Sequence, residues 1–206
     1  MKVIAQTNAL TDALGLMGGI VAGRTPKPVL QCVKLIAADG ALTALATDLE
    51  IGCRYRISQV EVLEEGEALI PADRLGAIVR ESMEETLTIE VAKETCTITG
   101  SGSRFTIYGF DPAEFPPVSE FGTEADAEVA SDVLTGMIAR TLFATAKEHS
   151  RYAISGVLWE IEGKKLRLVA TDGRRLALTK GALAASAPKP LSAIVPTKLM
   201  SLIQRV

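Results

Sequence analysis

The sequence predicts an α+β fold assembled from a repeated unit of strand, helix and three strands with antiparallel sheets. Three observations carry that prediction: a long internal repeat, hairpin turn dipeptides between alternating apolar runs, and short helices with apolar positions three and four apart. In the repeat, Leu42-Thr43-Ala44-Leu45-Ala46-Thr47-Asp48 returns as Leu166-Arg167-Leu168-Val169-Ala170-Thr171-Asp172, and Ala68-Leu69-Ile70-Pro71 returns as Ala193-Ile194-Val195-Pro196. Position 170 less 46 is 124 and position 196 less 71 is 125, so two separated matches share almost one offset, as a duplicated domain requires. Little after Pro196 answers the stretch from Pro71 to Pro117, so the repeat arithmetic leaves the second copy short by about 40 residues.

The elements follow in order. A strand over 2–6 leads to a helix that Thr7 or Asn8 can cap, with Leu10, Ala13, Leu14, Met17 and Val21 along one stripe. Gly23-Arg24-Thr25-Pro26-Lys27-Pro28 closes it in a basic loop. Strands at about 30–38 and 41–47 are joined by Asp39-Gly40, which suits the positive φ of a tight turn, and Ile51, Cys53, Tyr55 and Ile57 alternate as a third. The second half-unit has strand 67–70, Pro71 as first helical residue, a helix carrying Leu75, Ile78 and Val79, then strands at about 86–92, 95–99 and 104–109. Proline-rich residues from Phe110 to about Thr123 form the linker, dividing the chain into domains 1–120 and 121–206. The later copy is expected to open with a strand near 126–130. Ser131 or Asp132 then caps a helix bearing Leu134, Met137, Ile138, Thr141 and Leu142, a hairpin turns at Gly163-Lys164, and a last helix starts at Thr197.

Composition narrows the function. At 206 residues and 48% apolar the chain can bury two cores, and it has neither a run of 18 apolar residues nor a signal peptide's apolar core, which predicts a soluble cytoplasmic protein. Cys32, Cys53 and Cys96 are odd in number and scattered among apolar neighbours, which suits reduced, buried thiols. A net charge of −3 admits a nucleic-acid partner only if the basic groups collect on one surface. No constellation of nucleophile, base and oxyanion donors is legible. The single histidine, His149, lies in a polar loop, no Cys-x-x-Cys or second histidine offers a metal site, and Gly100-Ser101-Gly102 lacks the Lys-Thr of a phosphate cradle. Asp48 and Asp172 sit at equivalent repeat positions and read as strand-end turns. No enzyme, cofactor or metal is expected.

Five motifs in order carry a resemblance. They are Gly23-Arg24, Ala46-Thr47-Asp48-Leu49-Glu50, Ser103-Arg104-Phe105, Ala113-Glu114-Phe115-Pro116, and the stretch 151–178 that includes Val169-Ala170-Thr171-Asp172-Gly173-Arg174-Arg175-Leu176. Together they resemble the bacterial sliding clamps, the β subunits of DNA polymerase III, over the first domain and about two thirds of the second. The resemblance implies the DNA-clamp fold with helices on one face, a homodimeric ring around duplex DNA when full length, and processivity in DNA replication without catalysis. It implies partners of two kinds: duplex DNA, and polymerase and clamp-loader subunits docking through short linear motifs. Carried over by position, Arg24, Arg74, Arg104, Tyr152 and Lys198 are DNA-binding, and Ile154, Thr171, Gly173, Arg174, Arg175 and Leu176 form one wall of the peptide groove. Asp73 stands where clamps often carry a base, and Arg174 where they often carry histidine or an aromatic. The rival reading is a stand-alone protein-interaction module with a clamp-like fold that encircles nothing.

Overall fold

The structure, a computed structural model, describes residues 1–122, 124–146 and 156–205. It divides into two compact units, Met1–Glu120 and Phe121–Val206. In the first, the strands are β1 (Lys2–Gln6), β2 (Cys32–Ala38), β3 (Ala41–Thr47), β4 (Gly52–Ile57), β5 (Val60–Glu64), β6 (Gly66–Pro71), β7 (Thr86–Ala92), β8 (Thr95–Thr99) and β9 (Arg104–Tyr108). The helices are α1 (Thr7–Gly18) and α2 (Ala72–Glu81). A five-stranded sheet runs β5-β1-β7-β8-β9 and a four-stranded one β4-β3-β2-β6, with every pairing antiparallel.

The apolar stripe buries as its spacing requires. Leu10, Ala13, Leu14 and Met17 of α1 are buried, as are Ala72, Leu75 and Val79 of α2, and the two helices pack on each other. Val21 lies past the helix end, which comes at Gly18. Neither expected side-chain cap forms: Gln6 is the N-cap residue, Thr7 Oγ1 instead donates to Glu84 O at 2.6 Å, and Asn8 Oδ1 accepts the neighbouring Ala9 N–H. Pro71 ends β6 and precedes the helix it was expected to open, and Pro28–Gln31 makes one 3₁₀ turn before β2. Strand β5, absent from the sequence reading, forms because β1 offers it a free edge.

The second unit contains α3 (Ser131–Thr141), β10 (Gly156–Glu162), β11 (Lys165–Thr171), β12 (Leu176–Ala182), β13 (Leu191–Pro196) and α4 (Thr197–Ile203), with sheet order β12-β11-β10-β13. It reproduces the order β4-β3-β2-β6 strand for strand. Met137, Ile138, Val157, Leu166, Leu168 and Met200 form its core. Helix α3 lies on β12, where a Cβ at Gly181 would collide with the Met137 sulfur, so glycine there permits the close approach. Two sequence expectations fail. Residues 126–130 form no strand, because no described strand offers the pairing that β5 and β7 give β1; Glu128 O accepts from Ala184 N–H at 2.9 Å, and Ala130 O accepts from Leu134 N–H of α3 at 3.0 Å. Ala130, not Ser131 or Asp132, is the N-cap residue of α3.

Candidate nucleic-acid and peptide-binding surfaces

Three of the predicted cationic positions, Arg24, Arg74 and Arg104, belong to the first unit. The chain leaving α1 is pinned by Ala22 N–H donating to Leu30 O at 3.1 Å and by Gln31 Nε2 donating to Gly23 O at 3.2 Å. This holds Arg24 exposed, next in the chain to Gly23, which with Pro28, Asp73, Arg74 and Tyr108 lines a cleft of about 400 Å³. Arg74 reaches the same cleft from the first turn of α2, next to Asp73. No ion pair among the described residues engages Arg24, Arg74 or Arg104, so their charges remain available to an anion.

Arg104 is placed elsewhere. It opens β9, the edge strand of the five-stranded sheet, between Ser103 and Phe105, which line a cavity with Ile78, Glu81, Met83 and Glu84. Lys198 is half-buried in the first turn of α4. Tyr152, Ile154 and His149 lie outside the described residues.

The turn joining β11 to β12 gathers the other named residues. Thr171 Oγ1 donates to Arg175 O at 2.8 Å and accepts from Gly173 N–H at 3.1 Å, while Asp172 Oδ1 accepts from Arg174 and Arg175 N–H, both at 3.0 Å. Those backbone donors hold the Asp172 carboxyl below its ordinary pKa, and the Arg175 Nε–Oδ2 contact at 3.0 Å adds to the effect. Gly173 adopts φ 84°, and the guanidinium of Arg175 lies 5.5 Å from the centre of the Phe143 ring. The turn thus presents exposed Arg174 and Arg175 beside exposed Leu176 and Phe143. Phe143 escaped the sequence reading because only tertiary packing brings it to the turn.

The first unit repeats the turn. Thr47 Oγ1 donates to Ile51 O at 2.8 Å and accepts from Leu49 N–H, and Asp48 Oδ1 accepts from the N–H groups of Glu50 and Ile51. Both aspartates therefore cap turns, as their equivalent repeat positions predict. Among the described residues no cluster of His, Cys, Asp or Glu could hold a metal ion, and no helix is long and apolar enough to cross a membrane. Burial raises the pKa of Cys96 to about 12 and of Cys32 to about 11, with the nearby Asp73 charge contributing to the latter, and burial raises Cys53 as well.

Comparison with known proteins covers the whole chain. Residues 1–119 match the family pattern "DNA polymerase III beta subunit, N-terminal domain", and residues 128–206 match "DNA polymerase III beta subunit, central domain". The beta sliding clamp of Escherichia coli K12 is 32% identical over 199 residues, 96% of this chain and 54% of that protein. That of Pseudomonas aeruginosa is 35% identical over 179 residues, 86% of this chain and 49% of that protein. Among solved structures, the sliding clamp of Bacillus subtilis superposes with a TM-score of 0.93 at 25% identity, covering 100% of this chain and 56% of that one. A P. aeruginosa sliding clamp bound to griselimycin gives 0.89 at 32% identity, with the same coverage. The chain spans about half the length of the relatives it matches.

Proposed function

Because the chain belongs to the DNA polymerase III beta subunit family, we propose that it serves as part of a sliding clamp. In that reading residues 1–120 are the clamp's N-terminal domain and 121–206 belong to its central domain. A homodimeric ring encircles duplex DNA in the cytoplasm, and DNA polymerase and clamp-loader subunits dock on it by short linear motifs. The work is tethering, without catalysis, metal or cofactor. The likeness of the whole chain to solved clamps, at a TM-score of 0.93, is the observation that supports this most.

The physics of the surfaces agrees. Sliding needs phosphate contacts that are several, weak and blind to base identity. Arg24 and Arg74 carry no ion pair among the described residues, so each can neutralise a phosphate. Arg104, Tyr152 and Lys198 complete the proposed DNA-binding set. For the peptide groove, Thr171 and Gly173 shape the turn, Arg174 and Arg175 offer charge, and Leu176 offers an apolar anchor point; Ile154 belongs to the same wall by position.

Titrating the protein with duplexes of unrelated sequence at several salt concentrations tests the reading. Affinity should be alike for all duplexes, and Arg24→Ala should weaken it uniformly while reducing the slope of log K against log salt by about one. A strong dependence on sequence, or an unchanged slope, overturns the assignment of Arg24.

A further inference from the structure

The cleft of about 400 Å³ in the first unit is walled by Gly23 and Pro28 of the loop after α1, by Asp73 and Arg74 at the start of α2, and by Tyr108 and Phe110 where β9 ends. Every wall belongs to that unit. Local hydrogen bonds hold the walls in place. On one side Leu30 N–H donates to Lys27 O at 3.1 Å and Cys32 Sγ to Pro28 O at 3.6 Å. On the other, Gly109 N–H donates to Glu94 O at 2.7 Å and Phe110 N–H to Leu69 O at 2.9 Å. A Cβ at Gly109 would collide with Leu69 O, so glycine there lets the chain close on β6 between Tyr108 and Phe110.

The lining holds more chemistry than a phosphate backbone can use. Arg74 lies in it, and exposed Arg24 and Lys27 are next in the chain to Gly23 and Pro28; none of the three is in an ion pair among the described residues, so a phosphate finds cations there. Asp73 is in no such ion pair either. Its charge acts inside the cleft, because burial and then Asp73 raise the pKa of the Cys32 thiol on the lining. A carboxylate there repels phosphate and can only accept hydrogen bonds, so it calls for N–H donors on a ligand. Tyr108, 71% exposed, and half-buried Phe110 add aromatic faces on which a base can stack.

A phosphate, a donor edge and a flat ring together describe a nucleotide. Of the DNA bases, guanine alone sets an imino N–H and an amino group side by side on its pairing edge, the arrangement that a carboxylate accepts with both oxygens. We propose that this cleft binds a single unpaired guanine nucleotide, with its ring against Tyr108, its pairing edge on Asp73 and its phosphate on Arg74. The site takes one base freed from its partner strand and is separate from the sequence-blind backbone contacts of the proposed clamp. Failure of nucleotide binding would therefore leave the uniform duplex affinity and the Arg24 salt slope standing.

The probe is dGMP, titrated into the 206-residue protein with backbone amides observed by NMR. The expected result is saturable shifts at Gly23, Asp73, Arg74 and Phe110 with a Kd of about 1 mM or tighter. Binding should be weaker by about fivefold or more for dAMP, dCMP and dTMP, and likewise for guanosine without its phosphate. Asp73→Asn should bind the four nucleotides alike, Arg74→Ala should hold dGMP no better than guanosine, and Tyr108→Ala should weaken every nucleotide about fivefold or more. The comparison among nucleotides, guanosine and inorganic phosphate keeps the test decisive if a variant does not fold. Absence of saturable shifts up to about 10 mM dGMP, shifts away from the cleft, or equal binding of the four nucleotides would overturn the inference. So would inorganic phosphate binding as tightly as dGMP, which would reduce the cleft to an anion site.

Discussion

Replacing Phe115 with alanine should uncouple from the first unit the strap Phe110–Val118, which lies on its four-stranded sheet. Phe115 is 8% exposed and is the largest member of the cluster it forms with Cys32, Leu45 and Leu69. Returning that ring to water forfeits about 2–3 kcal/mol of transfer free energy relative to alanine. A cavity term adds to this, but the strap lies at the surface and can settle, so the total should sit at the lower end of the range for such truncations, about 3 kcal/mol. With a urea dependence of about 2 kcal/mol per molar, the midpoint of the first unit falls by about 1.5 M. Tyrosine fluorescence of a Tyr152→Phe background reads that unit through Tyr55 and Tyr108, while the sole tryptophan, Trp159, reports the second. Cys32 should become accessible to thiol reagents in the same variant, since it shares the cluster. Phe121→Ala, at 88% exposure, serves as the control and should change stability by less than about 0.5 kcal/mol. A Phe115→Ala loss below about 1 kcal/mol, with Cys32 still protected, would refute the view that the strap holds this sheet face.

Leu49 adopts φ 78° where its counterpart is Gly173 at φ 84°, so Leu49→Gly should stabilise the first unit by about 0.5 kcal/mol and Gly173→Ala should destabilise the second by about 1 kcal/mol, both read by urea unfolding. The lowered pKa of Asp172 means that its contribution to stability is complete above the ordinary carboxylate value of 3.8 and is lost as pH falls through the folded-state value. Asp172→Asn should flatten that acid limb in Trp159-detected unfolding, and parallel curves for the two proteins would contradict the turn's role. Cys32 and Cys96, with pKa values raised to about 11 and 12, should resist a thiol reagent at pH 8 in the native protein and react on unfolding. Rapid labelling of either would show the burial to be wrong.

The repeat, the hairpins at Asp39-Gly40 and Gly163-Lys164, and the buried stripes of α1 and α2 were legible in the chain because each depends on local periodicity or on a backbone conformation that few residues tolerate. The aspartate turns were legible for the same reason: a side chain accepting from backbone N–H groups two and three residues ahead is a local event. Strand β5 and the failure of a strand at 126–130 were not, since a strand exists only when another strand supplies its hydrogen bonds, and neighbouring residues do not record that supply.

For the sites, sequence determined which residues carry charge and which turn holds Arg174 and Arg175. Only the tertiary structure decided that Arg74 lines a cleft with Gly23 while Arg104 lies on a sheet edge, and that Phe143 meets Arg175. It alone decided that Phe115 packs over Leu45 and Leu69, far from it in the chain. Covering a face requires segments distant in the chain to meet, and the free energy of that meeting belongs to packing rather than to any local run of residues.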